Sequence, residues 1–125
     1  MSTKIFSAPV IHGHHLGHTL GFPTINQTPP ASFETLPRGV YFSRCTVDGV
    51  SYPAVSNLGV KPTVTDEDTL LCETHILNFD RDLYGQNVTT ELIFFRRHEC
   101  KFESASELGE TLARDIRAAK EYFGS

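Results

Sequence analysis

The sequence lacks tryptophan, and none of its apolar runs approaches the roughly 18–20 residues that a membrane-spanning helix requires. Its first residues contain no long apolar segment of the kind found in secretory signals, so we expect a cytoplasmic protein with no membrane partner. Basic residues are also few, since 11 Lys and Arg accompany 15 Asp and Glu, for a formal net charge of −4. Because nucleic-acid-binding domains usually carry a concentrated basic face, we expect no nucleic-acid partner.

Cysteine is scarce as well. Cys45, Cys72 and Cys100 are odd in number, widely spaced and without a C-x-x-C motif. Cys45 and Cys72 stand in apolar contexts, where cysteine usually behaves as a small core residue. A nucleophilic cysteine remains an open alternative, although no neighbouring residue in the sequence supports it.

The remaining composition fits one folded domain over residues 1–125. Hydrophobic residues make up 39% of the chain and charged residues 21%, as is typical of soluble globular proteins. A chain of 125 residues is long enough for one core but not for two. The stretch Asn26–Pro37 contains three Pro and one Ser, and it predicts a surface loop. Nothing in the sequence indicates an obligate protein partner.

Runs of β-branched and aromatic residues predict five strands in the first hundred residues. These strands lie near Phe6–Ile11 and over Gly39–Val47, Val50–Gly59, Leu70–Phe79 and Val88–Glu99. Asp48 and Gly49 form a two-residue hairpin signal between the second and third of them. Pro53 indicates that the third strand lies at a sheet edge or contains a bulge.

The C-terminal residues change from strand to helix periodicity. One apolar stripe at helical spacing consists of Leu108, Leu112, Ile116, Ala119 and Phe123. Ser104 and Glu107 match a capping box, and Gly124 stands where a helix C-cap glycine is expected. We therefore predict a helix over Ser106–Phe123 that packs on a mostly antiparallel barrel.

The segment that ends at Asn26 is a poor helix and a poor strand. Gly13, Gly17 and Gly21 would allow backbone N–H groups to approach an anion closely, so a phosphate-binding loop and an ordinary loop both fit. The histidines of the same run are His12, His14, His15 and His18. No carboxylate or cysteine completes a metal set beside them, so we expect surface histidines.

Two oxygen donors close this segment. The hydroxyl of Thr24 and the side-chain carbonyl of Asn26 are hard ligands that suit Mg²⁺ when waters and substrate phosphates complete the coordination. Pro, Thr and Asn are equally routine in turns, and on chemistry alone the turn is the better interpretation.

Glu73 lies within an otherwise apolar strand. Because side chains alternate along a strand, Glu73 and His75 share one face while Cys72 and Thr74 share the other. An unpaired carboxylate is costly to bury, so Glu73 faces solvent, a partner or a site. A general base and a cross-strand ion pair with an arginine are both open interpretations.

Five segments in order resemble the riboflavin kinase (flavokinase) family. They are HGHHLGHTLGFPTIN, LPRGVY, SNLGVKPTV, ETHILNFDRDLYG and FFRRHECKFES, and they extend from about Ile5 to Ala119. The resemblance implies a six-stranded antiparallel, Greek-key-like barrel with a C-terminal α-helix. It also implies Mg²⁺-dependent transfer of the γ-phosphate of ATP to the 5′-hydroxyl of riboflavin, which gives FMN.

The resemblance implies roles for individual residues. Glu73 matches the catalytic glutamate, and Thr24 and Asn26 match the residues that contact Mg²⁺. The implied ATP-binding residues are Gly13, Gly17, His18, Gly21, Pro23, Thr24 and Asn26. The implied flavin-binding residues are Asp82, Leu83, Tyr84 and Arg97.

The sequence departs from the family pattern at two positions. The family usually has Arg or Lys where His18 stands, so we expect weaker ATP affinity at pH 8 than in a His18→Arg variant. Ile25 replaces the usual Ala. Nothing resembles the adenylyltransferase domain of bacterial relatives, so we expect no FAD synthesis from this chain. The alternative function is a catalytically weak flavin- or nucleotide-binding barrel.

Overall fold

A computed structural model describes residues 4–12, 22–62 and 68–124 of the chain. The strands of this part are β1 (Lys4–Pro9), β2 (Ile25–Gln27), β3 (Gly39–Val47), β4 (Val50–Pro62), β5 (Asp68–Ile76) and β6 (Asn87–His98). A 3-10 helix covers Ala31–Thr35, and α1 covers Ala105–Phe123. The five strands expected from the sequence are present, with ends that shift by a few residues.

All six strands form one antiparallel sheet in the order β1-β6-β3-β4-β5-β2. The sheet curls until its two edge strands approach each other. The backbone N–H of Ile11, just beyond β1, donates to the carbonyl of Asn26 in β2 at 2.8 Å. The expected mostly β barrel with one C-terminal helix is therefore confirmed.

The buried side chain of Gln27 joins the two edges of the sheet. Its Nε2 donates to the carbonyls of Ala8 in β1 and Val88 in β6 at 2.9 and 2.8 Å. Its Oε1 accepts a hydrogen bond from Thr90 at 2.6 Å. The Gln27 amide thus adds to the single backbone hydrogen bond at this seam, and its own polar atoms are satisfied although Gln27 is fully buried.

Two sequence expectations about the strands need correction. The stretch Asn26–Pro37 is not wholly a surface loop, because it contains the end of β2 and a 3-10 helix whose Phe33 is buried in the core. Pro53 does not mark an edge, because β4 lies between β3 and β5. The carbonyl of Pro53 accepts a hydrogen bond from the N–H of Leu77, which lies just beyond the end of β5. In a strand, the nitrogen and the carbonyl of one residue point to the same side, so the Pro53 nitrogen also points past the end of β5. The missing N–H of Pro53 therefore costs little.

The helix follows the sequence prediction closely. The side chain of Ser104 accepts a hydrogen bond from the N–H of Glu107 at 3.1 Å, and Gly124 ends the helix in the left-handed conformation with φ 76°. Ala119 is fully buried against β3 and β4, together with Val40, Phe42 and Val55. Within the described part of the chain, no helix is both long enough and apolar enough to cross a membrane.

Cys45 and Cys72 are core residues, as expected. Both are fully buried, and burial raises the pKa of the Cys45 thiol to about 12 and that of Cys72 to about 11. Because a thiol reacts as the thiolate, neither residue is suited to be a nucleophile at neutral pH. Cys100 lies exposed beyond the end of β6.

Candidate active site

The outward face of β5 carries the first two groups of the site. Glu73 and His75 are both half-buried, whereas Cys72 and Thr74 are fully buried on the opposite face. This alternation is the one expected from strand geometry. The two half-buried side chains face residues 22–24, the segment that leads into β2, because β2 pairs with β5 along the edge of the sheet.

Glu73 is hydrogen-bonded to the neighbouring segment rather than to an arginine. The hydroxyl of Thr24 donates to Oε2 of Glu73 at 2.9 Å, across 49 positions of sequence. Among the described residues, no salt bridge involves this carboxylate. The cross-strand ion pair that the sequence left open is therefore not what this part of the structure shows, and one of the two carboxylate oxygens is held on a hydroxyl.

His75 holds the residue before Thr24. Its Nδ1 lies 2.7 Å from the carbonyl oxygen of Pro23, and because a carbonyl only accepts, the proton of the ring is on Nδ1. The ring also meets Phe22 edge-on, with centroids 6.0 Å apart. Burial lowers the pKa of His75 from its usual value, against a smaller opposing effect of the Pro23 hydrogen bond, so the ring is neutral at neutral pH.

Asn26 is the cross-strand partner of Glu73 but is much more deeply buried. Only 2% of its surface is exposed, and its Nδ2 has no hydrogen-bond partner among the described residues. An unsatisfied buried amide is uncommon and costs about 1–3 kcal/mol, so this donor is a candidate contact for a ligand group. The side chain does not line either of the cavities that adjoin Thr24.

The larger of these cavities, which we call the loop cavity, has a volume of about 550 Å³. Its walls come from residues 10–12, from residues 23–25 and from the turn between β5 and β6, which includes Phe79 and Tyr84. The ring of Tyr84 stacks on that of His12, with centroids 3.8 Å apart and planes inclined by 19°. The loop cavity is therefore lined from one side by residues 10–12 and from another by residues 23–25.

The smaller cavity, which we call the helix cavity, has a volume of about 350 Å³ and lies between the sheet and α1. Its apolar walls include Val40, Val55, Phe102, Leu108, Leu112 and Ile116. Its polar groups include Glu73, His75 and Arg97. The N-terminal half of the helix stripe thus faces a cavity, while the C-terminal half packs on the core.

A buried carboxylate fastens α1 beside the helix cavity. Asp115 is 1% exposed and accepts hydrogen bonds from Arg96 Nε at 2.7 Å and from Arg97 Nε and Nη2 at 3.1 and 2.8 Å. The hydrogen bond with Asp115 raises the pKa of Arg97, so its guanidinium stays charged. Arg97 Nη1 is also engaged, by the carbonyl of His98 and Sγ of Cys100. The guanidinium therefore serves the protein's own structure as a helix anchor.

The residues expected to bind flavin do not share one cavity. Asp82, Leu83 and Tyr84 line the loop cavity, whereas Arg97 lines the helix cavity. Leu83 is also 2% exposed, within a core cluster, and Asp82 accepts a hydrogen bond from the N–H of Tyr84 at 3.0 Å. These four residues therefore do not line one cavity in the described part of the structure, and their role in flavin binding stays a prediction.

Other predicted residues are brought together or fall outside the description. Pro23, Thr24 and Glu73 meet at the junction of the two cavities. The predicted ATP-binding residues Gly13, Gly17, His18 and Gly21 lie outside the described residues. Leu108 and Leu112 were expected only as core-facing helix residues, and their periodic pattern alone could not separate a cavity wall from a packed core.

The sequence profile of the riboflavin kinase family (Flavokinase) matches residues 3–123. The bifunctional riboflavin kinase/FMN adenylyltransferase of Escherichia coli (strain K12) is 39% identical over 120 residues, covering 94% of this chain and 37% of that protein. An RNA-binding riboflavin kinase of Bacillus subtilis (strain 168) is 34% identical over 119 residues, covering 95% of this chain and 51% of that protein. The chain therefore spans between about a third and a half of these curated relatives.

A solved structure shows the same fold. The riboflavin kinase of Trypanosoma brucei superposes with a TM-score of 0.67 at 21% sequence identity, covering 100% of this chain and 83% of that one. The family profile spans nearly the whole sequence, and the bacterial relatives exceed 30% identity over more than nine-tenths of it. This chain belongs to the riboflavin kinase family.

Proposed function

We propose that this chain transfers the γ-phosphate of ATP to the 5′-hydroxyl of riboflavin and so produces FMN. One observation carries the proposal beyond the family match. Thr24 lines both cavities, and its hydroxyl is hydrogen-bonded to Glu73. A donor and an acceptor bound on opposite sides of Thr24 would meet at a carboxylate that can take a proton.

The walls of the cavities support different ligands. Nucleotide suits the loop cavity, because His12 and Pro23 line it and the Tyr84 ring, which stacks on His12 with one face, offers a stacking surface. The flat isoalloxazine suits the helix cavity, where leucines of α1 face valines of the sheet beside polar groups that include Glu73, His75 and Arg97. With this allocation, Asp82 and Tyr84 contact nucleotide rather than flavin.

Phosphoryl transfer depends on the positioning of the substrates and on charge stabilisation more than on covalent catalysis. In our proposal the riboflavin oxygen attacks the γ-phosphorus, the new O–P bond forms as the bond to the β,γ-bridging oxygen breaks, and ADP leaves. Glu73 accepts the proton of the attacking hydroxyl. Its Oε2 is held by Thr24, so the carboxylate is directed toward the junction of the cavities before either substrate binds.

The Thr24 hydroxyl at the junction fits the Mg²⁺ that the family resemblance implies, whereas Asn26 lies buried beside it and lines neither cavity. The Thr24 hydroxyl and the Asn26 side-chain carbonyl are hard oxygen donors, and a site of few protein ligands leaves positions for phosphates and water. Asn26 Nδ2 has no hydrogen-bond partner among the described residues, and in our proposal its side chain turns toward a phosphate oxygen when nucleotide binds. When bound, the ion supplies positive charge beside the phosphates.

The direct test is to incubate the purified chain with riboflavin and Mg-ATP and to separate riboflavin, FMN and FAD by chromatography. We expect FMN to accumulate in proportion to protein concentration and ADP to form in equal amount. Omission of ATP or chelation of Mg²⁺ should abolish the product. Saturable binding of both ligands without FMN would instead support the weak binding barrel.

A further inference from the structure

His75 contacts the junction segment without facing the proposed reaction directly. The Nδ1–H group of its half-buried ring is occupied by the carbonyl of Pro23 at 2.7 Å. That carbonyl belongs to the peptide bond between Pro23 and Thr24. Because the peptide is planar, a hydrogen bond on its oxygen fixes the orientation of the N–H and Cα of the next residue as well. The hydrogen bond from the His75 ring to Pro23 therefore helps to fix the position of Thr24.

Two side chains on one face of β5 hold this segment from two points. Glu73 binds the hydroxyl of Thr24, and His75 binds the carbonyl that precedes it. The proline ring fixes φ at Pro23, which leaves rotation of the Pro23–Thr24 peptide plane as the main remaining freedom of the segment. A hydrogen bond to the Pro23 carbonyl restrains that rotation, and it arises from a strand, which is a rigid support.

We propose that His75 is a positioning residue: through Nδ1 it fixes the Pro23–Thr24 peptide so that the Thr24 hydroxyl meets Glu73 at the junction of the two cavities. This inference rests on the function proposed above for the same site. It does not assign the proton of the substrate to His75, and it attributes the effect of the ring to its contact with Pro23 and not to its place in the wall of the helix cavity. The neutral ring contributes geometry, and its loss would misplace Thr24 relative to nucleotide.

Two substitutions separate this role from a direct contact made through Nε2. An asparagine side chain can place an N–H near the position of histidine Nδ1, whereas a glutamine amide reaches toward the position of Nε2. We expect His75→Gln to lower kcat/KM for Mg-ATP by about 10- to 100-fold, the range typical of lost orienting contacts, and His75→Asn to recover most of that loss. Because the ring also lines the helix cavity, riboflavin affinity is measured by fluorescence quenching in both variants, and it should change less than kcat/KM for Mg-ATP.

The opposite pattern would overturn the proposal. If His75→Gln keeps the activity that His75→Asn loses, Nε2 is the functional atom, and if both variants lose activity equally, the Pro23 contact is not what matters. A matched control is His98→Gln, which replaces an exposed histidine at the end of β6 and should leave both KM values unaltered. Far-UV circular dichroism and thermal unfolding identify any variant that fails to fold.

A second readout needs no enzyme activity. Long-range ¹H–¹⁵N spectra of the ligand-free protein distinguish the two tautomers of a neutral imidazole, and the His75 signals are assigned by their disappearance in His75→Asn. We expect a proton on Nδ1, in slow exchange with solvent. A ring protonated on Nε2 would contradict the inference even if the wild-type protein makes FMN. Conversely, an Nδ1–H ring in a protein that makes no FMN would refute the proposed function and leave the local geometry intact.

Discussion

The two cavities differ in how they are built. The loop cavity is walled largely by segments outside regular structure, at residues 10–12, 23–24 and 79–84. The helix cavity is enclosed mostly by strands and by α1, which the buried Asp115 ties to β6, with further walls from residues 22–24 and 99–102. The first site thus depends on local chain geometry, while the second depends on where one helix is placed on a sheet. A ligand of the helix cavity gains specificity from a rigid frame.

Of the regions compared, the junction between the cavities is where we expect a substitution to reduce turnover most. We expect Glu73→Gln to reduce turnover by about 10²- to 10⁴-fold, because glutamine cannot accept the substrate proton. Both ligands should still bind, since the amide keeps the size of the side chain and can accept the Thr24 hydrogen bond. Steady-state FMN formation measures the first effect, and fluorescence quenching by the protein measures riboflavin binding.

The matched control for this variant is Glu103→Gln, which makes the same change at an exposed position before α1. It should leave turnover near the wild-type value. Full activity in Glu73→Gln would remove the carboxylate from the mechanism. Loss of ligand binding in parallel with turnover would indicate that Glu73 supports the architecture of the junction instead of the proton transfer.

The difference between local chain geometry and tertiary placement also explains how much of the structure the sequence could predict. Strand and helix positions followed from local periodicity, and Glu73 stood out because a carboxylate is unusual in an apolar strand. The three-residue β2 carries too little periodicity to be read, and Phe33 gives no local sign that the 3-10 helix turns it inward. Leu112 looks like any core residue of a helix, because whether a stripe meets a partner or a cavity depends on tertiary placement.

The burial of Asp115 is a second feature that could not be predicted from the local sequence. Asp115 lies on the helix between apolar stripe positions, where an exposed acidic residue is the ordinary expectation. Its burial requires two arginines from β6, which lie 18 and 19 positions away in sequence. Only the docking of α1 on the sheet brings these groups together, so no motif in either segment indicates the contact.

The frame of the helix cavity can be weakened through this carboxylate. We expect Asp115→Ala to lower the free energy of unfolding by about 3 kcal/mol, at the low end for a broken buried ion pair because the arginines are partly exposed. Urea denaturation monitored by circular dichroism measures the change. The riboflavin KM should rise in the folded fraction, since α1 carries part of the flavin wall.

An exposed acidic residue on the same helix is the control. Glu110 lies 3.8 Å from Arg114, and both side chains are mostly exposed, so Glu110→Gln should change stability by less than about 0.5 kcal/mol. Equal effects of the two substitutions would show that Asp115 has no special part in holding the helix.

The allocation of ligands to the two cavities is tested by one substitution in each wall. Tyr84→Ala removes a 55% exposed ring from the loop cavity and should raise the KM for ATP by about 2- to 10-fold, the value of one stacking contact. Leu112→Ala removes apolar surface from the helix cavity and should raise the KM for riboflavin by about 10-fold. In each variant the other KM should stay near its wild-type value.

An exchanged pattern has a definite meaning. If Tyr84→Ala raises the riboflavin KM and leaves the ATP KM unchanged, the family resemblance placed flavin correctly at residues 82–84, and the nucleotide must occupy the helix cavity. If either variant raises both KM values equally, the cavities are coupled through Thr24, which lines both. Thr24→Ser keeps the hydroxyl, and with it the hydrogen bond to Glu73, and removes only the methyl group. If the coupling depends on that hydrogen bond, the serine variant should still show it.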